Sequence, residues 1–149
     1  MEIKKELVIK SPPSKVFKAI TDPQQLTQWF PDVAFIDPKI GGKISFKFSK
    51  SNPDNVIQDH IIEGEIIELE KNKKIAYTWG QQDNSEFPLT QVSWNLEKIG
   101  IGMTRVIIIH RGFTDEKLMN TYSDGWSWFM GRLSIFATPK QPVNIGGQI

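Results

Sequence analysis

The chain has 149 residues, with 18 Lys and Arg against 17 Asp and Glu, and it contains no cysteine. This length fits one domain with one core, and the balanced charge provides no basic surface for nucleic acid or an anionic membrane. Disulfides, thiolate nucleophiles and cysteine-bearing zinc sites are excluded, and two histidines are too few for a histidine-only metal site. We therefore expect no metal and no cofactor.

The first forty residues predict a strand followed by two short helices. Residues 3–10 alternate apolar and charged side chains, which is typical of a half-buried strand. Ser11 is the expected N-cap of a first helix that ends near Thr21, and Asp22 is the expected cap of a second, which Pro31 ends. The apolar side of the second helix comprises Leu26, Trp29 and Phe30.

The centre of the chain predicts six strands with short connections. They cover residues 33–37, 43–50, 58–70, 75–79, 90–97 and 104–111. The third of these has mixed parity, so we expect a bulge or bend near Gly64. In the last strand Ile107 and Ile109 fall on the outer parity, which makes them candidates for a partner surface.

After residue 113 the apolar period changes from two to 3.6, which predicts a long helix. Thr114 or Asp115 is the expected cap, and Thr138 lies near the expected end. The apolar stripe comprises Leu118, Tyr122, Trp126, Phe129, Leu133 and Phe136. Gly125 and Gly131 cost this helix about 1 kcal/mol each relative to alanine. Gly125 therefore indicates either a close approach to the sheet or room for a cavity.

This order predicts a single α+β domain over residues 1–138 and a mobile tail over residues 139–149. Consecutive strands with short links make a curved antiparallel sheet of about six to seven strands. The long C-terminal helix is the only element large and apolar enough to cover one sheet face. The first strand pairs most simply beside the last one, and the two short helices close one end.

Several short stretches of sequence occur in an order and spacing that a known family shares. They are residues 9–20 (IKSPPSKVFKAI), 21–23 with Leu26 and Trp29, 40–44, 64–68, 75–79, 102–104, Val106, Ile108, His110, 112–113, Tyr122, Gly125, Trp126 and Leu133. On these residues the chain resembles the START-like (SRPBCC, helix-grip) superfamily, in particular the branch related to the activator of the heat-shock protein 90 ATPase. The resemblance implies a cavity between sheet and helix that accepts apolar ligands. Relatives of this kind include co-chaperone domains, lipid carriers and aromatase/cyclases.

Inward-facing side chains of the strands and the long helix predict the lining of that cavity. The candidates are Trp29, Phe46, Phe48, Tyr77, Trp79, Trp94, His110, Tyr122, Trp126, Phe129, Met130 and Leu133. An apolar pocket with a few polar groups is the usual small-molecule site, and here indole N–H and tyrosine hydroxyl groups would be the polar points. The alternative is that these rings simply pack a solid core.

His110 is the one candidate for acid–base chemistry, because the unperturbed pKa of histidine lies near neutral pH. Its alternative is a buried histidine satisfied by backbone or tyrosine. A second reactive group would come from Asp59, Glu63, Glu68 or Tyr122. Serine and cysteine nucleophile motifs are lacking, so acyl-transfer triads are not supported.

The leading functional hypothesis is binding of a small apolar or aromatic ligand without catalysis. One alternative is a co-chaperone-like or stress-response interaction module, which contacts a chaperone or self-associates through the outer sheet face. Another is a small cyclase or hydrolase that uses His110. The N-terminal residues lack the apolar run of a signal peptide. No window approaches the roughly 18 apolar residues that span a bilayer, so we expect a cytoplasmic protein without a membrane partner.

Overall fold

The computed structural model describes residues 1–49, 60–82 and 84–139. Its elements, in chain order, are β1 (Glu2–Ile9), α1 (Pro13–Thr21), α2 (Pro23–Leu26), β2 (Val33–Ile36), β3 (Lys43–Phe48), β4 (His60–Glu70), β5 (Lys74–Gln81), β6 (Thr90–Gly100), β7 (Met103–Arg111) and α3 (Glu116–Ala137). Asp59 and almost all of the predicted tail lie outside the described residues.

The seven strands form one antiparallel sheet in the order β1-β7-β6-β5-β4-β3-β2. Strands β2 to β7 therefore lie side by side in chain order, as short connections predict. The first strand joins the far side of the last one, with Ile3 opposite His110 and Ile9 opposite Thr104. The predicted α+β helix-grip architecture, with a long helix covering the sheet, is confirmed.

The long helix α3 packs the second half of its apolar stripe into the core. Asp115 is its N-cap and accepts a hydrogen bond from the backbone N–H of Lys117, and Thr138 is its C-cap. Its buried residues are Gly125, Trp126, Phe129, Met130 and Leu133. The sequence predicts that the stripe continues to Phe136, but that side chain is 38% exposed.

Ser11 does not cap the first helix, contrary to prediction. The N-cap of α1 is Pro12, which makes no side-chain cap bond. Ser11 is held instead at the end of the sheet, where its carbonyl oxygen accepts a hydrogen bond from Oγ1 of Thr104 at 2.7 Å. The second helix begins as predicted, because Asp22 accepts a hydrogen bond from the backbone N–H of Gln24. It is only one turn long, so Trp29 and Phe30 lie beyond its end.

The irregularity in β4 lies at Ile67, where the register against β5 shifts between Ile66 and Glu68, three residues beyond the predicted position. Gly64 has a different role. A Cβ at this position would overlap the carbonyl oxygen of Thr78 on the neighbouring strand. The glycine therefore permits close backbone contact.

Candidate functional site

The candidate lining residues lie in or against one core cluster, where His110 contacts Trp79 and Trp126, and all of them but Tyr122 are buried. Phe30, which sequence reasoning did not include among them, lies at the centre of the cluster. Its ring centroid is 4.8–6.1 Å from those of six other aromatic residues. These six are Trp29, Phe46, Phe48, Trp79, Trp126 and Phe129.

The rings pack mostly edge to face or tilted. Trp94 meets Trp126 at 85° with centroids 5.7 Å apart, and it meets Trp29 at 89° with centroids 5.9 Å apart. This is the geometry that aromatic side chains adopt in direct contact. Much of the space between sheet and helix is therefore occupied by the very side chains that the sequence predicts to line it.

The indole N–H groups of the cluster have partners within the protein. Trp94 donates to the hydroxyl oxygen of Tyr77 at 3.0 Å, and Trp79 donates to that of Tyr122 at 3.2 Å. Trp29 donates to the carbonyl oxygen of Ala19 at 2.9 Å. Burial raises the pKa of both tyrosine hydroxyls above the usual range, so both are neutral.

His110 lies in a continuous hydrogen-bonded relay. The indole of Trp126 donates to Nδ1 of His110 at 3.0 Å, so Nδ1 carries no proton. The hydroxyl of Thr90 donates to the carbonyl oxygen of Trp79 at 2.9 Å and lies 2.7 Å from Nε2 of His110. Because Thr90 has one hydroxyl proton and has already donated it, Nε2 must carry a proton and donate.

This relay uses both ring nitrogens of His110 while the ring is neutral. Burial lowers the pKa of His110 to about 3. A proton added at Nδ1 would meet the N–H of Trp126, so the geometry gives His110 a structural role at neutral pH. The described carboxylates considered as its partners, Glu63 and Glu68, are exposed. Sequence reasoning missed Thr90 as a member of this relay, although Thr90 begins β6 on the same inward parity as Trp94.

Gly125 is buried in α3, yet a Cβ built on it would meet no described atom within 4 Å outside its own helix backbone and chain neighbours. Of the two interpretations that the sequence allows, a close approach to the sheet is wrong. The structure leaves room for at least a methyl group at this position. This open space lies on α3 directly beside the predicted lining residue Trp126.

The outer surface presents apolar side chains at one sheet edge. Val33 and Phe35 project from the edge strand β2 and are 57% and 56% exposed. The predicted surface residues Ile107 and Ile109 are half-buried rather than fully exposed, because β7 is an inner strand between β1 and β6. The sequence predicts a short strand at residues 33–37 but gives no sign that it presents an apolar surface.

No group of three metal-ligating side chains occurs in the part of the chain that the structure describes. Within the same residues, no helix combines the length and hydropathy that crossing a membrane requires.

A family model described as "Activator of Hsp90 ATPase homolog 1-like protein" matches residues 10–137. The chain belongs to this Hsp90-activator-like family. A search of curated proteins found no match. The family assignment agrees with the resemblance drawn from the sequence, which pointed to the branch related to the activator of the heat-shock protein 90 ATPase.

Solved structures extend the comparison of this Hsp90-activator-like chain. A Chromobacterium violaceum protein superimposes with a TM-score of 0.80 at 23% identity, covering 93% of this chain and 98% of that one. The Aha1 dimer from Colwellia psychrerythraea gives a TM-score of 0.74 at 21% identity, covering 90% of this chain and 93% of that one. An Hsp90 activator from Plasmodium falciparum gives a TM-score of 0.74 at 25% identity, covering 95% of this chain and 99% of that one.

Proposed function

We propose that this protein is an interaction module that binds an Hsp90-type chaperone and stimulates its ATPase. The observation that carries the proposal is the pair Val33 and Phe35, two large apolar side chains that are more than half exposed on one edge strand. The Plasmodium falciparum relative supports it, because that Hsp90 activator is covered almost end to end by this chain. The proposal keeps the cytoplasmic location expected from the sequence.

The β2 edge has the chemistry of a protein-docking surface. An edge strand presents unpaired backbone groups to a partner strand, and exposed apolar groups supply the contact area. Lys47 lies opposite Val33, and Ser45 lies opposite Phe35, so the apolar pair has polar neighbours on β3. An apolar centre within a polar rim is the usual anatomy of an interface. We assign this surface to a segment of the chaperone.

The test measures ATP turnover by the Hsp90 homologue of the same organism with increasing amounts of this protein. We expect saturable stimulation and a complex in size-exclusion chromatography. The double variant Val33→Ser, Phe35→Ser should lose most of the stimulation. Ile135→Ser is the matched control, because Ile135 is 81% exposed on α3. Absence of both stimulation and a complex at micromolar concentration would contradict the function, and equal loss in the control would contradict the surface.

Chromatography of the protein alone also tests self-association through the outer sheet face, where Ile107 and Ile109 lie. The Colwellia relative is described as a dimer. A concentration-dependent dimer that is weakened by Ile107→Ser would support this mode of association. A monomer at all concentrations would rule it out.

A second candidate function is binding of a small apolar or aromatic ligand between the sheet and α3. Two observations favour it, namely the open space at Gly125 and the hydrogen bonding of the Tyr77 hydroxyl. The hydroxyl oxygen of Tyr77 accepts the bond from Trp94, but its proton has no acceptor among the described residues. A ligand with one polar atom would satisfy that proton.

Titration with the neutral fluorophore N-phenyl-1-naphthylamine tests this candidate. We expect saturable binding that Gly125→Leu abolishes by filling the space. Gly131→Leu in the same helix should leave binding unchanged, because Gly131 is exposed. If the fluorescence does not saturate, or if the two variants behave alike, ligand binding at this place is excluded.

A further inference from the structure

A pocket lies away from the aromatic cluster, between α1, the end of β2 and the hairpin that joins β4 to β5. Its volume is about 580 Å³, which falls within the range of about 300–1,000 Å³ typical of small-molecule sites. None of the residues predicted to line a ligand cavity contributes to it. It is therefore a separate site in both position and composition.

The inner wall of this pocket is apolar. Phe17, Ile36, Leu69 and Ile75 all line it. Ile75 and Ile36 are buried parts of the main core, and Phe17 and Leu69 are half-buried and pack against that core. The wall is thus anchored to the sheet, so an apolar body could bind there without a large rearrangement.

Two lysines supply the charge at the rim. Lys18 and Lys71 line the pocket and are exposed. Neighbouring lysines are neutralised: Lys39 pairs with Asp37, Lys73 with Glu70, and Lys74 with Glu68. In contrast, neither rim lysine forms an ion pair with any residue that the structure describes. The lining of the pocket thus contains two lysines and no carboxylate, so its rim is positively charged.

We propose that this pocket binds a small anionic amphiphile, with its apolar body against Phe17, Leu69 and Ile75 and its acidic head group at Lys18 and Lys71. The apolar wall provides most of the affinity by removing hydrocarbon from water. The two ammonium groups select for an acidic head group over a neutral or cationic one. This site uses the buried Ile36 of β2, whereas the proposed chaperone contact uses the exposed Val33 and Phe35, so each proposal can fail without the other.

Calorimetric titration of the full chain with decanoate tests the proposal, with decan-1-ol and decyltrimethylammonium as matched ligands of the same chain length. We expect decanoate to bind at least several-fold more tightly than the alcohol and the cation to bind most weakly. Chemical-shift changes on decanoate addition should concentrate in α1 and the β4–β5 hairpin.

Charge-removing variants identify the rim. Lys18→Met and Lys71→Met each keep an apolar stem and should weaken decanoate binding about threefold, the range of exposed charge pairs. The double variant should lose the preference for decanoate over decan-1-ol. Lys73→Met is the control, because Lys73 is outside the pocket lining. The affinity of this variant for decanoate should equal that of the unaltered protein. The assignment would be overturned if decanoate binding did not saturate, or if the acid and the alcohol bound equally well. It would also be overturned if Lys73→Met weakened binding as much as the rim variants, or if the chemical-shift changes centred on Tyr77 and Trp126.

Discussion

Trp126 donates its indole N–H to Nδ1 of His110 across 3.0 Å, and this bond joins the last helix to the last strand inside the core. A protonated His110 cannot accept that bond. The contact between helix and strand therefore depends on the neutral histidine, which burial favours by lowering its pKa to about 3.

The fold should lose stability in mild acid because of His110. Its pKa is about 3 in the folded chain against 6.5 for the free side chain, so below pH 6.5 the unfolded chain binds a proton that the folded chain does not. The contribution of the neutral ring is complete above pH 6.5 and is lost as the pH falls toward 3. Between pH 7 and pH 5 this loss amounts to about 2 kcal/mol in the free energy of unfolding.

Urea unfolding at pH 7 and pH 5 measures this loss. His110→Gln keeps an amide near the position of Nε2 but cannot titrate, so its stability should change less between the two pH values than that of the unaltered protein. Parallel pH profiles for the His110 variant and the unaltered protein would show that this ring is not the titrating group.

The hydroxyl of Tyr77 should matter more for stability than that of Tyr122. Tyr77→Phe leaves the buried N–H of Trp94 without an acceptor, and an unsatisfied buried donor costs about 1–3 kcal/mol. Tyr122 is half-buried, so water can replace its hydroxyl at Trp79 and Gln81, and Tyr122→Phe should cost less. Thermal and urea unfolding of the two variants compare the costs directly. The reverse ranking would contradict the described packing.

Gly64 and Gly80 should differ sharply in their tolerance of alanine. A methyl group at Gly64 would overlap the backbone carbonyl of Thr78, so Gly64→Ala should destabilise the fold by about 3 kcal/mol or more. At Gly80 the nearest group is Cδ1 of the exposed Leu89, 3.3 Å away, and this side chain can rotate. Gly80→Ala should therefore cost less than about 1 kcal/mol. Similar urea midpoints for the two variants would refute the close contact between β4 and β5.

Alanine should stabilise α3 at both of its glycines. Gly125 and Gly131 have helical backbones, and a Cβ added at either would meet no described neighbour within 4 Å apart from local helix backbone. Each Gly→Ala change should raise the free energy of unfolding by about 0.5–1 kcal/mol, because alanine loses less backbone entropy on folding. Calorimetric melting tests both changes. A lower melting temperature for Gly125→Ala alone would mean that its space is needed.

The alternation of side chains was enough to predict the sheet, because each strand buries one face, and the buried apolar side chains therefore recur every two residues. The positions of Phe46, Trp79 and Trp94 follow from that parity. The same reasoning missed the central role of Phe30, which comes from the turn after α2, where no period indicates the direction of a side chain. Ser11 was also misassigned, because its bond to Thr104 depends on strand pairing that local sequence does not encode.

Hydrogen-bond partners were harder to predict than burial. The sequence placed His110 and Trp126 on facing surfaces, but it could not say which of the rings would satisfy each other. That outcome depends on the rotation of α3 about its own axis and on angles between rings. The pocket beside α1 escaped prediction for a related reason, since its wall combines a helix, a strand end and a distant hairpin.

The pairing of β1 with β7 has a consequence for synthesis on the ribosome. Glu2 lies opposite Arg111, so β1 waits for more than 100 further residues before its partner strand exists. The helix that covers the core is translated later still. The growing chain therefore exposes the apolar side of β1 until β7 has been translated, and a chaperone that shields this strand during that interval would have its largest effect on yield.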